Sequence, residues 1–262
     1  LDFRAALSAF DKFFYHGELR TKLNTEKNKK DFVRTRAPHL KRALDTGMKS
    51  LEYRKSERLH GGVNRVLVEE ELAAVGAILG RKYSEIKIIR HSLFNCDAFS
   101  CFMTTEGLRY TEAFAGSGEF AVVRIVTSVL EAPEKSLVLL DEPEVSLHPG
   151  AQDRLLDFLT TIVKKHKHQV VISTHSPAIV RKLPPEAIKV LAMDSLSGKV
   201  QLPRQSSLAD EAFFHLGEPI PGKIFVVVED ILAQAIVKRA LSSEGEAVAA
   251  LFDVQYFPGG SQ

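Results

Sequence analysis

Leu137-Val138-Leu139-Leu140 runs straight into Asp141-Glu142-Pro143. A short apolar run closed by a turn signal predicts a fully buried, parallel strand. Open α/β sheets place their ligands at the carboxyl ends of such strands, so Asp141 and Glu142 fall where a site is expected. Two adjacent acids in a dry crevice are costly unless something uses them. A Mg2+ on Asp141 and an attacking water on Glu142 would be such a use. The plainer alternative is a strand followed by a solvated acidic turn.

The flanking segments bear on that choice. Gln152 to Lys167 patterns as an amphipathic helix with Leu155, Leu156, Leu159, Ile162 and Val163 on its buried side. Its last turn carries Lys164, Lys165 and Lys167, as the helix dipole prefers. A second apolar strand, Gln169–Ser173, ends in Thr174-His175-Ser176-Pro177. His175 would lie near Glu142 if the two strands are neighbours; a lone histidine is otherwise more often structural. Upstream, Ala115-Gly116-Ser117-Gly118-Glu119 is a glycine-rich turn opening a helix that runs to Leu130. Unpaired N–H groups and the positive dipole end at such a turn suit an anionic oxygen, as on a γ-phosphate. Glycines needed for tight packing would leave the same pattern.

The chain has 262 residues, 45% hydrophobic and 26% charged, with a formal charge of +2. Those values are ordinary for a soluble globular protein, and no apolar run approaches the ~20 residues of a membrane span. No membrane partner is expected. Cys96 and Cys101 have no His or Cys at metal spacing nearby, and read as reduced thiols of a cytoplasmic protein. Residues 1 to about 60 read as helical, with Leu1, Phe3, Leu7, Phe10, Phe13 and Phe14 on one face. Between Arg20 and Arg58 stand thirteen Lys/Arg against five acids. That excess could touch phosphates, or be a solvated helical surface. Val63 to Leu79 is expected to form another helix, closed by Gly80. From Tyr83 the period changes to two, predicting short antiparallel strands with a turn at Glu106-Gly107.

Taken in order, the glycine-rich turn and helix, the apolar-DEP strand, the helix and the apolar-STHSP strand resemble the second half of an ABC-type ATPase head, strongly over Phe114 to Pro177. The resemblance implies ATP and Mg2+ as cofactors. It makes Gly116, Ser117, Gly118 and Glu119 a signature loop that reaches a partner's γ-phosphate, with the serine one place later than usual. Asp141 is similar to the Walker B aspartate that holds Mg2+, Glu142 to the general base, and His175 to the switch histidine. Glu144 to His148, including Ser146, resembles the D-loop. The wording Leu-Asp-Glu-Pro-Glu-x-x-Leu-His-Pro with Ser-Thr-His-Ser-Pro is similar to the OLD-family ATPases and their SMC-like relatives in DNA repair and antiphage defence, including Septu- and retron-associated types. Such heads work as homodimers or higher oligomers, with nucleic acid and a nuclease or other effector protein as expected partners.

No Gly-x-x-x-x-Gly-Lys-Ser/Thr occurs in the chain, and the resemblance places that phosphate loop upstream of Leu1. Pro184 to Pro203 is expected to supply a strand (Ala187 to Met193), a turn at Ser197-Gly198 and a return strand. A helix from Ser207 to Leu216 then leads to the Pro/Gly-rich run Gly217–Gly222, the clearest domain boundary. Beyond it, Lys223–Glu229, a helix from Ile231, and Asp253–Gly260 resemble the start of a Toprim domain. Glu229 would be its metal-binding glutamate, although Asp230 replaces the usual glycine and no Asp-x-Asp follows. The expected fold is therefore α/β: a basic helical insertion over 1–82, the ATPase core lacking its phosphate-loop part over 83–216, and a Toprim-like βαβ start over 217–262. Three functions follow from this reading. The first is an ATP-hydrolysing switch that dimerises around Mg-ATP and controls action on nucleic acid. The others are an OLD-type ATP-regulated DNA endonuclease and a non-hydrolysing interaction scaffold.

Overall fold

The computed structural model describes residues 7–19, 26–193, 198–202, 205–207, 209, 212 and 223–256. The chain divides into two compact units, 1–179 and 180–262. The expected boundaries at 82/83 and 216/217 do not coincide with that division. Residues 59–66 form a strand paired to residues 85–91, so one sheet runs across the 82/83 boundary. The run 217–222 lies outside the described residues, as does most of the helix expected before it.

In the first unit, a short helical turn over 9–16 is followed by α1 (Lys29–Thr46), whose N-cap Asn28 accepts from the Asp31 N–H. A small antiparallel hairpin, β1 (Glu52–Tyr53) and β2 (Ser56–Glu57), replaces the helix expected up to residue 60. Its two loop residues, Arg54 and Lys55, lie at φ 52 and 58. A two-residue hairpin of this hand favours Asn-Gly, and side chains with a Cβ pay about 1–2 kcal/mol each there.

The expected helix from Val63 is also corrected. β3 (Leu59–Val66) is a strand, and only Glu69–Leu79 is helical, as α2. Gly61 and Gly62, at φ 61 and 65, let β3 shift register between Leu59 and Asn64 and resume pairing. Val63 and Val66 suit that pleat better than a helix. β4 (Glu85–His91), β5 (Ala98–Thr105) and β6 (Leu108–Thr111) follow as expected, in an antiparallel sheet of order β3-β4-β5-β6. Gly107, at φ 82, makes the last turn.

α3 (Ser117–Glu131) is buried on almost every side. Val122, Val123, Ile125 and Val126 are fully inside and share one core with Ile86, Cys101 and Met103 of the sheet. The same core includes residues of β7 (Leu137–Asp141), α4 (Pro149–His166) and β8 (Gln169–Ser173). A second core beneath α1 joins Phe13, Phe32, Leu44, Ile89 and Phe94. β7 and β8 pair in parallel, as expected, but β7 is not fully buried. Leu140 is inside, whereas Leu137 and Leu139 are 59% and 55% exposed. Among the described residues this sheet has two strands. Their alternate residues Val138, Leu140, Val170 and Ile172 meet the core, and Leu137, Leu139 and Val171 are more than half exposed.

α5 (Pro177–Arg181) spans the division between the units. The second unit has an antiparallel pair, β9 (Ala192–Met193) and β10 (Val200–Gln201), much shorter than the strands expected there. It then forms β11 (Ile224–Val228), α6 (Ile231–Ser243), α7 (Glu246–Ala249) and β12 (Phe252–Tyr256), with β11 and β12 parallel. Phe225 and Val227 of β11 are exposed.

One buried polar chain ties β4, β5 and the end of β6. Leu93 N–H donates to His91 Nδ1 (3.1 Å), which leaves the proton on Nε2, 2.9 Å from Ser100 Oγ. Ser100 donates to Glu112 Oε1 at 2.6 Å, and the Cys101 N–H donates to Oε2. Desolvation pushes Glu112 up to about 7 from 4.5, and His91 down to about 4 from 6.5. Glu112 therefore binds its proton more tightly in the folded chain, so its contribution to stability falls as pH rises from 4.5 to about 7. His91 binds its proton more tightly unfolded, so its contribution falls as pH drops from 6.5 to about 4. The two slopes oppose each other between about 4.5 and 6.5. Glu112→Gln should remove one of them. In that variant, urea-melt stability should fall on acidification from pH 6.5 to 4.5 more steeply than in the parent chain, by roughly 1–3 kcal/mol.

Candidate functional site

The site is built by register. β7 and β8 run parallel with Asp141 opposite Ser173, so each strand releases its polar residues at the same end. Ser173 Oγ donates to Asp141 Oδ1, and Glu142 N–H donates to Ser173 O (2.9 Å), adding one more rung. Glu142 then turns off the strand at φ 46, a left-handed conformation that a residue with a Cβ adopts at a cost. There its Oε1 lies 3.4 Å from His175 Nε2. The glutamate side chain is 13% exposed and the histidine 76%. The arrangement puts a largely sheltered carboxylate beside an imidazole that reaches into solvent.

Glu144 holds this arrangement. Its Oε1 accepts from Thr174 Oγ1 (2.7 Å) and from the His175 N–H (2.9 Å). Ser176 N–H donates to Thr174 Oγ1, and Ser176 Oγ donates to Gln152 Oε1. Gln152 Nε2 in turn donates to Leu147 O at 2.8 Å. The loop after β7 is thus stitched to the loop after β8 by one carboxylate and one amide. Glu144 Oε2 is buried without a hydrogen-bond partner. An acceptor in that state is costly and matches what a hard cation or its bound water would satisfy. With Asp141 it offers oxygen ligands of the kind Mg2+ takes, and Mg2+ commonly uses one or two carboxylates with substrate phosphates completing its shell. Among the described residues, no group of three or more His, Cys, Asp or Glu is placed to hold a metal unaided.

The glycine-rich turn meets the same loop. Gly118 is buried, and a Cβ there would sit 2.5 Å from Ser146 O and 2.9 Å from Leu147 Cδ2. Ser146, exposed at φ 67, points its carbonyl at this glycine. Gly116 differs. It is exposed and extended at φ −63 and ψ 144, and a Cβ on it would meet nothing within 4 Å. Ser117 is exposed at the first turn of α3, and Phe114, just before the turn, is 86% exposed.

Glu119 is occupied by the chain itself. Its Oε2 accepts from Gly116 N–H, and its Oε1 from Tyr83, Tyr110 and Arg81. Buried beside that carboxylate, the Tyr83 hydroxyl is pushed well above its ordinary range, chiefly by desolvation. These bonds make Glu119 the cap and anchor of the turn before α3. Glu229 follows β11 in the second unit and is exposed. Asp253, on the parallel β12, pairs with Phe225. That is four residues before Glu229, about 13 Å back along the sheet. The structure does not bring those two acids together. Glu144, Thr174 and Gln152 are not legible in the sequence as a clamp; the only signal is a Ser/Thr pair at a strand end facing an acid-rich turn.

The match to known families agrees with where these residues lie. Residues 10–181 match the family described as "AAA domain, putative AbiEii toxin, Type IV TA system", and the chain belongs to it. Over 69 residues it is 38% identical to protein ea59 of Escherichia phage lambda, covering 26% of this chain and 13% of that protein. Among solved structures, one described by ATP-driven dimerization and DNA stimulated activation of SMC ATPases aligns with a TM-score of 0.40 at 15% identity, over 72% of this chain and 96% of that one. An Smc head domain from Pyrococcus furiosus, with an extended coiled coil and bound to part of ScpA, aligns at 0.35 and 16% over 56% and 36%. Both scores lie below the level at which a shared fold follows.

Two pairs of variants check this geometry. Gly118→Ala should cost about 1–3 kcal/mol in thermal or urea melts because backbone must move, whereas Gly116→Ala should cost no more than about 1 kcal/mol of N-cap preference. Glu144→Ala should destabilise by about 1–3 kcal/mol and speed amide exchange at His175, while Glu144→Gln, which keeps one acceptor oxygen, should lose less.

Proposed function

We propose that this chain carries the hydrolytic half of an ATP-dependent switch. Glu142 polarises the attacking water, His175 senses the γ-phosphate, and Asp141 with Glu144 takes the Mg2+ side. The observation that carries this reading is the 3.4 Å approach of His175 to a Glu142 held in a left-handed backbone. Strained backbone at a strand end is characteristic of functional sites. When bound, Mg-ATP supplies the charge and leaving group; the protein contributes positioning and fixed dipoles.

Gly116 supports the second part of the proposal. Its backbone angles and its surroundings accommodate a side chain, so apart from a modest N-cap preference this chain's own packing gives no reason for a glycine. A γ-phosphate and a second copy of the chain, closing over Gly116 and Ser117, would supply one. The head then acts as a homodimer or higher oligomer around ATP, and hydrolysis releases it to control action on nucleic acid. The family's description as a putative toxin of a type IV system favours defence over repair as the setting. An OLD-type nuclease centred on Glu229 has the parallel β11–α6–β12 unit in its favour, but Asp253 stands too far back to share a metal with Glu229.

The test is Glu142→Gln in the full-length protein. Phosphate release should fall by at least 100-fold while ATP binding persists and the ATP-bound dimer accumulates in size-exclusion chromatography. Undiminished turnover would remove Glu142 from the role. Hydrolysis lost together with ATP binding would point instead to a collapsed loop.

A further inference from the structure

We propose that the outer face of α1 and the tip of the β1–β2 hairpin form a docking surface for a nucleic-acid phosphate backbone. This rests on the nucleic-acid part of the proposed function and deepens it by naming where contact is made; it does not depend on the chemistry assigned to Glu142.

Three observations carry it. First, Lys30, Arg34 and Lys41 stand at i, i+4 and i+11 on α1, within 40° of one another around the helix and all exposed. They form a row about 16 Å long, the rise of roughly five base pairs. Arg42 and Lys27 extend the charge to either side.

Second, four of the five acids nearby are engaged, the exception being the exposed Glu52 of β1. Asp31 accepts from Asn28 Nδ2 at 2.8 Å and stands 3.9 Å from Arg34, and Asp45 is paired with Lys41 at 3.0 Å. Glu57 is tied to Ser50 and to the Leu51, Arg58 and Leu59 N–H groups. The buried Glu26 is shared by Arg36 and Arg54. Among the described residues no carboxylate pairs with Lys30, Arg42 or Lys55.

Third, the hairpin tip holds two long basic residues, Arg54 and Lys55, in the left-handed backbone that Asn-Gly would adopt without strain. The hairpin is joined to α1 through the Tyr53 ring, 4.7 Å from His39. An unfavourable local choice that displays two cations points to a use for them.

The outward residues between the cations are Thr35, Ala37 and Pro38, with no large apolar side chain to enter a bilayer. A linear row of cations without an apolar wedge fits a phosphate backbone rather than a lipid surface.

The experiment is fluorescence anisotropy of the full-length protein on a short DNA duplex, from 50 to 200 mM salt. Lys30→Ala/Arg34→Ala/Lys41→Ala should weaken binding at least tenfold and flatten the log–log salt slope by two to three, one for each lost phosphate contact. Lys55→Gly should weaken binding severalfold while raising the melting temperature, since it relieves the backbone as it removes the charge and leaves Arg54 on Glu26. A control on α4, Lys164→Ala/Lys167→Ala, should stay within twofold. ATP turnover without DNA should be unchanged in all three, which separates this proposal from the nucleotide-site reading. Unchanged affinity and salt slope in both test variants, or tight binding to phosphatidylserine vesicles in place of the duplex, would overturn it.

Discussion

The parallel pairing of β7 with β8 is the constraint on which the candidate site depends. Because Asp141 sits opposite Ser173, the residues that leave each strand emerge together, and Glu142, Glu144, Thr174 and His175 have no choice but to meet. A slip of one residue would turn every side chain to the other face. The slip is resisted from one side, where Leu140, Val138, Val170 and Ile172 are packed into the core around α3 and α4. The polar end of the sheet is accurate because its apolar end is locked.

From that register the molecule builds a site that is tight inside and open outside. Gly118 admits the Ser146 carbonyl where any side chain would collide. Glu144 and Gln152 bind the two loops to each other, and Glu119 fixes the turn before α3 to Tyr83, Tyr110 and Arg81. Gly116, Ser117, Ser146 and the His175 ring remain exposed. The division is physical: groups satisfied by the chain are sheltered, and the others face solvent.

Polar burial elsewhere has a different purpose. Glu112, Ser100 and His91 give the sheet a fully connected internal chain in which each donor finds an acceptor, at the cost of a glutamate held far from its usual pKa. The hairpin bearing Arg54 and Lys55 makes a different choice, accepting backbone strain at a tip where Arg54 reaches back to the buried Glu26 and Lys55 faces solvent. A buried network can be explained by folding alone; the exposed, strained Lys55 cannot.

Much of this was legible in the amino-acid order. Period-two runs announced β4, β5 and β6 with the Gly107 turn, and short apolar runs closed by turn residues announced both strands of the site, because these signals are local. Asp141, Glu142 and His175 could be singled out because each follows an apolar strand. Other features lay beyond reach. Val63 to Val66 read as helix and proved strand, since glycines at 61 and 62 permit a register shift only a neighbouring strand can define. Leu137 and Leu139 read as buried and proved exposed, since burial depends on what covers a face. The anchoring of Glu119 by Tyr110, Tyr83 and Arg81 left no local signal, because those partners lie nine to thirty-eight residues away. Local pattern by itself determined the elements and the ends of the strands that matter. Only tertiary structure decided which carboxylate faces the histidine and which is held as an anchor, because hydrogen-bond partners are set by distance in space and leave no period in the chain.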